Sequence, residues 1–453
     1  AVGGITLGTA SAITNASGEV TTSVQSGSIA TSVRVIASSE EDVDGDTVIV
    51  TAPSDILVIS TGIADQNSFS LSRSIFNPHA LNVDGNTVSV NARLADHFNN
   101  PVPDGTAVSF ITEGGVIEPS CTTTNGTCSV TWTSSNPRPF TDSMYENTIT
   151  QKCDGGLPCP LGILNNDLTV DLPLGGRATV HAYAIGEETF SDLNGNGYFD
   201  SEDFFDDLFD IPEAFIDNNE DGTYGGKDCN DGTDPCSRDN STGDEFEEFV
   251  DFDGNGTWTT ENGLYNGLLC REEDEAAGIC SRQMVNVFQN QEIVMSGDTA
   301  YFRLVTYADD CSAIAGATAS EVRVNSDPAS PLVRRVQNDP TSAIMCQVDA
   351  IDLTQTASGT ASLGLTVFIA DIYNNPMPAE TTISIDTDNG ILTGSDNYTY
   401  PNTTSIVPVG LSFGITREDL DGGNEQFSGI LTVTAEAPSG LESTLSVSVT
   451  DDL

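Results

Sequence analysis

The sequence predicts an all-β protein made of β-sandwiches in tandem, with one long acidic insertion. Short runs of Val, Thr, Ser, Ile and Gly alternate between apolar and polar residues, as at Thr87–Leu94, which is typical of strands with one buried face. Turn residues recur about every 8–12 positions, the spacing of sandwich strands. With 453 residues, the chain is long enough for roughly two to four domains.

One segment occurs twice, and this repeat defines the architecture. It reads Leu-Ala-Asp-His-Phe-Asn-Asn-Pro-Val-Pro at residues 94–103 and Ile-Ala-Asp-Ile-Tyr-Asn-Asn-Pro-Met-Pro at residues 369–378. The preceding apolar positions also correspond, without a gap, from Val88 and Leu363 onward. Asn tolerates left-handed backbone and proline fixes φ, so the Asn-Asn-Pro-x-Pro element predicts a turn between two strands.

These residues resemble the bacterial immunoglobulin-like domains of invasin- and intimin-type surface proteins. In that family a strand ending in Asp leads to an Asn-Pro-x-Pro turn. A Val-x-Phe strand follows, here Val108–Phe110, and then come a Gly-Gly turn, an Asn-Gly turn and a Thr/Ser-rich strand, here Asn125–Trp132. The resemblance implies tandem immunoglobulin-like sandwiches and a structural or adhesive role at a bacterial cell surface.

A third, partial copy opens the chain, since Gly3-Gly4-Ile5 resembles Gly114-Gly115-Val116. We expect a first module at residues 1–62 that lacks its opening strands, a second at 63–297 and a third at 298–453. An incomplete sandwich exposes apolar faces and strand edges. Either a preceding segment of a longer surface protein or a strand from a neighbouring molecule would complete it, and the latter would give self-association into a fibre or lattice.

The closing hairpin of the second module carries an insertion at about residues 187–283. Residues 187–280 hold 28 Asp and Glu but only three basic residues, Lys227, Arg238 and Arg271. A structureless loop of this length is unusual in a compact domain. Metals and local disulfides are therefore the expected organisers of this acidic lobe.

Three stretches of the acidic lobe have the spacing of calcium loops, and the first resembles EF-hand, dockerin and thrombospondin-type loops. Alternating Asp and Asn side chains supply oxygen ligands to Ca²⁺, and Gly197, Gly222 and Gly256 occupy the sixth position, where the loop turns sharply. The alternative is that these are ordinary Asn-Gly and Asp-Gly turns. The predicted ligands are Asp192, Asn194, Asn196, the Tyr198 carbonyl, Asp200 and Asp203; Asp217, Asn219, Asp221, the Thr223 carbonyl and Asp228; and Asp251, Asp253, Asn255, the Thr257 carbonyl, and Glu261 or Asn262.

Two further expectations concern the packing of the lobe. The segment Ser201–Leu208 is the one candidate for a short helix, directly after the first loop. Eight phenylalanines are distributed along the lobe. We expect their side chains to form its small core and to pack it against the sandwich. The alternative is that they form an aromatic binding face. They are Phe190, Phe199, Phe204, Phe205, Phe209, Phe215, Phe246 and Phe249.

The ten cysteines predict disulfides, which indicate an extracellular location. The chain has no C-x-x-C and its three histidines are scattered, so a zinc site is not predicted. Near-neighbour spacing favours four pairs, which are Cys121–Cys128, Cys153–Cys159, Cys229–Cys236 and Cys270–Cys280, and Cys311–Cys346 is the pair that remains.

The composition also excludes several classes of function. A net charge of −53 makes the chain a poor partner for nucleic acid, because phosphates repel it. No run of about 18 apolar residues predicts a membrane span. No catalytic motif is present, so an enzyme is not predicted. The alternative function is a carbohydrate- or protein-binding accessory region of a secreted hydrolase.

Overall fold

The computed structural model of the chain describes residues 4–27, 31–43, 46–139, 175–217, 224–225, 247–314, 316–319, 343–353, 362–373, 375–405, 408–417 and 426–452. Within these ranges the chain is almost entirely β, with one short α-helix and a few 3-10 turns. The predicted all-β class is therefore confirmed.

The described part of the first module consists of three separate two-stranded ribbons, in which β1 pairs with β2, β3 with β6 and β4 with β5. Ile5 is the single buried side chain among those described here, whereas Ile36 and Ile49 are 68% and 62% exposed. The six strands are β1 (Thr6–Leu7), β2 (Val24–Gln25), β3 (Thr31–Val33), β4 (Ile36–Val43), β5 (Asp46–Pro53) and β6 (Leu57–Ile59).

The second module is a two-sheet sandwich with the acidic lobe inserted between its last two strands. Its strands are β7 (Ala64–Asp65), β8 (Phe69–Arg73), β9 (Thr87–Leu94), β10 (Ala107–Thr112), β11 (Val116–Ile117), β12 (Ser120–Thr122), β13 (Thr127–Thr133), β14 (Arg177–Glu187), the lobe elements β15 (Tyr265–Asn266), α1 (Glu272–Ala276) and β16 (Cys280–Ser281), and β17 (Val285–Val294). One sheet has the order β11-β13-β9-β8 and the other β12-β10-β14-β17, with β7 parallel to the end of β14.

The third module repeats this topology. Its strands are β18 (Tyr301–Ala308), β19 (Ala317–Ala319), β20 (Ile344–Val348), β21 (Ala350–Asp352), β22 (Ser362–Ala370), β23 (Thr382–Thr387), β24 (Ile391–Gly394), β25 (Asn397–Thr399), β26 (Val409–Thr416), β27 (Gln426–Glu436) and β28 (Glu442–Asp452). One sheet runs β24-β26-β22-β18 and continues through β20 and β19. The other runs β25-β23-β27-β28 and ends in β21, which is parallel to β28, whereas β7 of the second module is parallel to β14.

The alternation read from the sequence produces the core of each sandwich. In β9 the even positions Val88 to Leu94 are at most 1% exposed, while the intervening residues face solvent. Trp132 of β13 is fully buried and donates its indole N–H to the carbonyl of Gly114 at 2.8 Å. Gly115 has φ of +71° and the Trp132 ring lies against its Cα, so no larger residue fits there.

Both junctions between modules use the Asp of the repeated segment. Asp96 accepts a hydrogen bond from the backbone N–H of Thr61 at 2.9 Å, and Asp371 accepts one from Gly297 at 2.9 Å. The second carboxylate oxygen accepts the N–H of Asn100 in one turn and of Asn375 in the other, both at 2.9 Å. We call this arrangement the linker clamp. It lets one fully buried side chain shape the turn and hold the preceding linker.

The junction between the second and third modules contains further buried polar contacts. The guanidinium of Arg177, which is 2% exposed, donates to the Asn375 side-chain oxygen at 3.0 Å, and the Asn375 amide donates to the Gly175 carbonyl at 2.6 Å. On the other side, the Asn77 amide donates to the Met377 carbonyl at 2.7 Å. Because these buried groups are paired, the two modules are held in one arrangement.

Candidate metal centre in the acidic lobe

The acidic lobe begins where β14 ends and packs on the sandwich through aromatic side chains. Its buried core contains Phe190, Phe199, Tyr265 and Leu269 together with the Cys270–Cys280 disulfide. Phe98, from the repeated turn of the sandwich, packs against this core, and the His97 ring stacks on Phe190 with centroids 4.3 Å apart. The prediction of an aromatic core is thus confirmed for these residues, as it is for the buried Phe215.

The prediction of a helix at Ser201–Leu208 is wrong. The segment forms turns, and Phe204 makes an isolated antiparallel bridge with Ser191. The Asp206 side chain accepts the N–H of Leu208, so local side-chain hydrogen bonds compete with helix formation here. Phe204 is 51% exposed, so it does not belong to the aromatic core, and Phe246 lies outside the described residues.

The first predicted loop closes around the carboxylate of Asp192. One oxygen accepts the N–H of Gly195 at 2.7 Å and the other accepts that of Gly197, the sixth residue of the loop, at 2.8 Å. The Asn196 side chain accepts the N–H of Tyr198 at 2.7 Å. Gly195 and Gly197 both have positive φ, as the sharp turn requires.

The remaining predicted ligands of the first loop converge on one another. The amides of Asn194 and Asn196 donate to Asp200 at 3.2 and 2.7 Å. Asp203 accepts the N–H groups of Leu193 and Asp200 at 2.8 and 3.0 Å, which closes the loop onto its own start. The hydrogen bond from the Glu202 backbone lowers the pKa of Asp200, which keeps this carboxylate ionised.

The third loop closes around the carboxylate of Asp251 and shares part of the hydrogen bonding of the first loop. Asp251 accepts the N–H groups of Asn255 at 3.1 Å and of Gly256, the sixth residue, at 2.9 Å. The Asn255 side chain accepts the N–H of Thr257 at 2.6 Å and its amide donates to Asp253 at 2.7 Å. The two loops, which begin 59 positions apart at Asp192 and Asp251, therefore share two hydrogen bonds: the sixth-position glycine N–H donates to the first-position Asp, and the seventh-position N–H donates to the fifth-position Asn.

The third loop also contains a carboxylate that the motif does not include. The side chains of Glu213, Asp251 and Asp253 place one oxygen each within 4.8 Å of one another. Glu213 accepts the N–H groups of Phe252 and Thr259 at 2.8 and 3.0 Å. The motif predicts Glu261 or Asn262 as the closing residue, and Glu261 is exposed.

Of the second loop, Asp217 lies among the described residues and its carbonyl accepts the Thr179 hydroxyl of β14 at 3.0 Å. Asn219, Asp221, Thr223 and Asp228 lie outside the described residues. Next to them, the buried Glu247 accepts the N–H of Gly225 at 2.7 Å.

Two buried carboxyl groups lie where the lobe leaves the sandwich. Glu187 accepts the Tyr265 hydroxyl at 3.1 Å and the Leu268 N–H at 3.0 Å, and burial raises its pKa to about 7. Glu188 accepts the N–H groups of Ile211 and Asn266 at 3.0 and 2.7 Å, and burial likewise raises its pKa to about 7. These two side chains tie two segments of the lobe, at Ile211 and at residues 265–268, to the end of β14.

His181 lies on the outer face of β14, fully buried. Its Nδ1 is 2.6 Å from Oδ1 of Asn290 on β17, and its ring faces those of Tyr183 and Phe288. Nε2 has no hydrogen-bond partner among the residues that the structure describes. Burial lowers the pKa of His181 to about 4, so the imidazole is neutral at physiological pH.

Three of the five predicted disulfides are present, namely Cys121–Cys128, Cys270–Cys280 and Cys311–Cys346. The other four cysteines, Cys153, Cys159, Cys229 and Cys236, lie outside the described residues. Disulfides of this kind are typical of extracellular proteins. None of the helices in the described part of the chain is long and apolar enough to cross a membrane.

No protein-family model and no curated protein matches the sequence. Among solved structures, the chain is similar to the adhesin InvE of Yersinia pseudotuberculosis, at 10% identity and a TM-score of 0.20, over 86% of this chain and 60% of that one. It is also similar to the D0-D1 domain of intimin, at 9% identity and a TM-score of 0.19, over 84% of this chain and 97% of that one. A trypsin-activated alpha-2-macroglobulin from Escherichia coli matches at 12% identity and a TM-score of 0.15, over 92% of this chain and 28% of that one. TM-scores this low do not establish a shared fold.

Proposed function

We propose that the protein is a structural and adhesive component of a bacterial cell surface, in which immunoglobulin-like modules form a stalk and calcium holds the acidic lobe in shape. The observation that carries the stalk proposal is the linker clamp, which occurs at both junctions with the same 2.9 Å hydrogen bond. A repeated junction of this kind suits a protein that spans distance. The proposed role is not enzymatic, in keeping with the resemblance to invasin- and intimin-type modules.

Calcium is proposed for the third loop because carboxylate oxygens of Glu213, Asp251 and Asp253 lie within 4.8 Å of one another, and for the first loop because its Asp and Asn side chains have the same spacing. Each loop offers at least two carboxylates and two amide side chains or backbone carbonyls, which is the donor set of a hard cation. In the first loop, the amide N–H groups of Asn194 and Asn196 donate hydrogen bonds to the carboxylate of Asp200. Residues 187–280 carry a net charge of −25. A cation bound in this segment also reduces the repulsion among its carboxylates.

Calcium titration followed by limited proteolysis tests this part of the proposal. Isothermal titration of the chelator-treated protein should show at least two Ca²⁺ ions bound per chain. Binding to the folded state should stabilise the lobe by mass action. Protease cleavage between residues 187 and 283 should then be fast in EGTA and slow in Ca²⁺, while the sandwiches resist in both. Equal resistance of the lobe in the two conditions contradicts calcium stabilisation.

Imaging tests the stalk and the location. Negative-stain electron microscopy of the purified chain should show the second and third modules end to end at a constant angle. Antibodies raised against the third module should label the surface of intact cells of the source organism. Labelling that requires permeabilised cells contradicts the proposed location.

A further inference from the structure

A cavity of about 150 Å³ lies where the acidic lobe meets the sandwich of the second module. One wall comes from the lobe and includes part of the third loop, and the other comes from the start of β17. Because a water molecule takes roughly 30 Å³ of the liquid, the cavity has room for one small, ring-sized ligand. Its lining consists of residues 211–213, 252, 253, 259, 260, 262, 266 and 283–286.

The side chain of Asn286 is the feature of this cavity that indicates a polar ligand. Asn286 lines the cavity and is 7% exposed. Its backbone lies opposite Ile185 in the pairing of β17 with β14, but its side-chain amide has no hydrogen bond to any residue that the structure describes. A buried polar group that lacks a hydrogen bond costs free energy. The amide therefore calls for a hydrogen-bonding group that enters the cavity.

The rest of the lining combines polar and apolar surface. The side chains of Thr260 and Gln283 are exposed at the cavity, and those of Phe252 and Met284 are half-buried in it. A sugar ring has the same two characters, since hydroxyl groups surround its edge and C–H groups cover its faces. The amide of Asn286 both donates and accepts, which matches a pair of adjacent hydroxyls. A purely apolar molecule would leave this amide unpaired.

The charge of the lobe selects against ionic ligands. Residues 187–280 carry a net charge of −25, so an anionic ligand is repelled. The carboxylates that line the cavity belong to Glu213 and Asp253, which are also members of the acidic cluster proposed to bind calcium. With calcium bound there, a cationic ligand gains little from them. A neutral ligand remains, and the amide and hydroxyl side chains of the lining suit it.

We propose that this cavity binds one sugar unit of a neutral carbohydrate. Asn286 is its buried hydrogen-bonding anchor, Gln283 and Thr260 contact hydroxyls at the rim, and the ring packs against Phe252 and Met284. This inference rests on the proposed adhesive function and deepens it, because it names the class of ligand that adhesion takes. The binding residues come from both the lobe and β17, so the cavity exists only while the lobe is packed on the sandwich.

A glycan array probed with the full 453-residue chain in Ca²⁺ tests the ligand class. The array presents neutral, sialylated and sulfated glycans, and we expect binding to neutral glycans alone. Isothermal titration with a bound glycan then compares variants. Asn286→Leu keeps the size of the side chain and removes the amide, so the affinity should fall at least about tenfold. Asn91→Leu is the matched control, because Asn91 is an exposed strand residue on β9, and it should bind as the unaltered chain does.

A second variant covers the case in which Asn286→Leu does not fold, as judged by circular dichroism. Gln283 is exposed, so Gln283→Ala leaves the core of the module intact. The loss of its rim hydrogen bonds should weaken glycan binding about threefold or more. Spermine, titrated under the same conditions, serves as the cationic probe and should not bind in the cavity.

Three outcomes overturn the proposal. The first is that no neutral glycan binds. The second is that Gln283→Ala and folded Asn286→Leu both bind the glycan as tightly as the unaltered chain. The third is that spermine competes with the glycan or binds in its place, which identifies a cationic ligand. Surface labelling of intact cells is a separate measurement. Its failure overturns the adhesive role whatever the array shows, and its success alongside an array without binding overturns this inference alone.

Discussion

The carboxylate of Asp371 holds the backbone N–H of Gly297 at 2.9 Å, and these two residues belong to different modules. The same carboxylate accepts the N–H groups of Tyr373 and Asn375 at 2.9 Å each. A single fully buried side chain therefore determines both the fold of the turn and the path of the chain into it.

Replacement of Asp371 should loosen this junction. Asp371→Ala leaves three buried N–H groups without an acceptor, so we expect a loss of about 3 kcal/mol or more in the unfolding free energy of the third module. Small-angle scattering should show a wider distribution of angles between the modules. Asp386→Ala is the matched control, because Asp386 lies on β23 with its side chain exposed. Equal effects of the two variants would contradict the role of the linker clamp.

Glu213→Gln should weaken calcium binding at the third loop alone. Its carboxylate is part of the acidic cluster and also holds the loop backbone, so its loss should lower the affinity of one site by about 10–100-fold. Isothermal titration should show this loss with the other sites unchanged. The matched variant Glu261→Gln tests the closing residue expected from the motif. If Glu261→Gln lowers the calcium affinity more than Glu213→Gln does, the closing ligand is Glu261, as the motif predicts, and not Glu213 of the acidic cluster.

Removal of the Cys270–Cys280 disulfide should destabilise the lobe selectively. The bond closes a loop of 10 residues and both cysteines are buried in the aromatic core. The double variant Cys270→Ser/Cys280→Ser should lose about 2–3 kcal/mol of local stability. Hydrogen exchange should rise in residues 190–205 and 264–281. Removal of Cys121–Cys128 should leave exchange in the lobe unchanged, since that bond belongs to the sandwich.

Acidification should destabilise the second module through His181. Its pKa is about 4 in the folded state, compared with an ordinary value of 6.5, so between these values the unfolded chain binds more protons. The free energy of unfolding therefore rises with pH from 4 to 6.5 and falls on acidification through that range. His181→Gln should reduce the difference in urea stability between pH 6.5 and pH 4.5. An imidazole resonance of His181 that titrates near pH 6.5 would contradict its burial.

The repeat allowed much of the fold to be predicted from the sequence. Residues 94–103 and 369–378 occupy the same turn, and Asn99 has the left-handed φ of 61° that the Asn-Asn-Pro motif indicates. The alternation in β9 predicted its buried face. Near-neighbour spacing identified two disulfides, and Cys311–Cys346 followed as the pair that remained. These features are local in sequence or compare one segment directly with another, so no tertiary information was needed.

Glu213 could not be found in this way. It lies 38 positions before Asp251 and belongs to no ligand motif. It reaches the third loop because residues 214 and 216 hydrogen-bond to residues 250 and 248, and Glu213 itself pairs with Thr259 through its backbone. The absence of a helix at Ser201–Leu208 has a similar cause, since the pairing of Phe204 with Ser191 is tertiary. The linker clamp was also missed, because its donors, Thr61 and Gly297, have no sequence signal.

The position of the lobe between β14 and β17 has a mechanical consequence. β7 is the first strand of the second module and β17 is its last, and both pair with β14. A force that pulls on the two chain ends of the module is therefore carried by this sheet and not by the acidic lobe. The lobe can open without lengthening the molecule while the sheet remains intact. If the sheet ruptures, the residues between β14 and β17 are released together and add up to about 300 Å of extended chain. The insertion therefore lengthens the molecule only when the applied force is large enough to rupture the sheet.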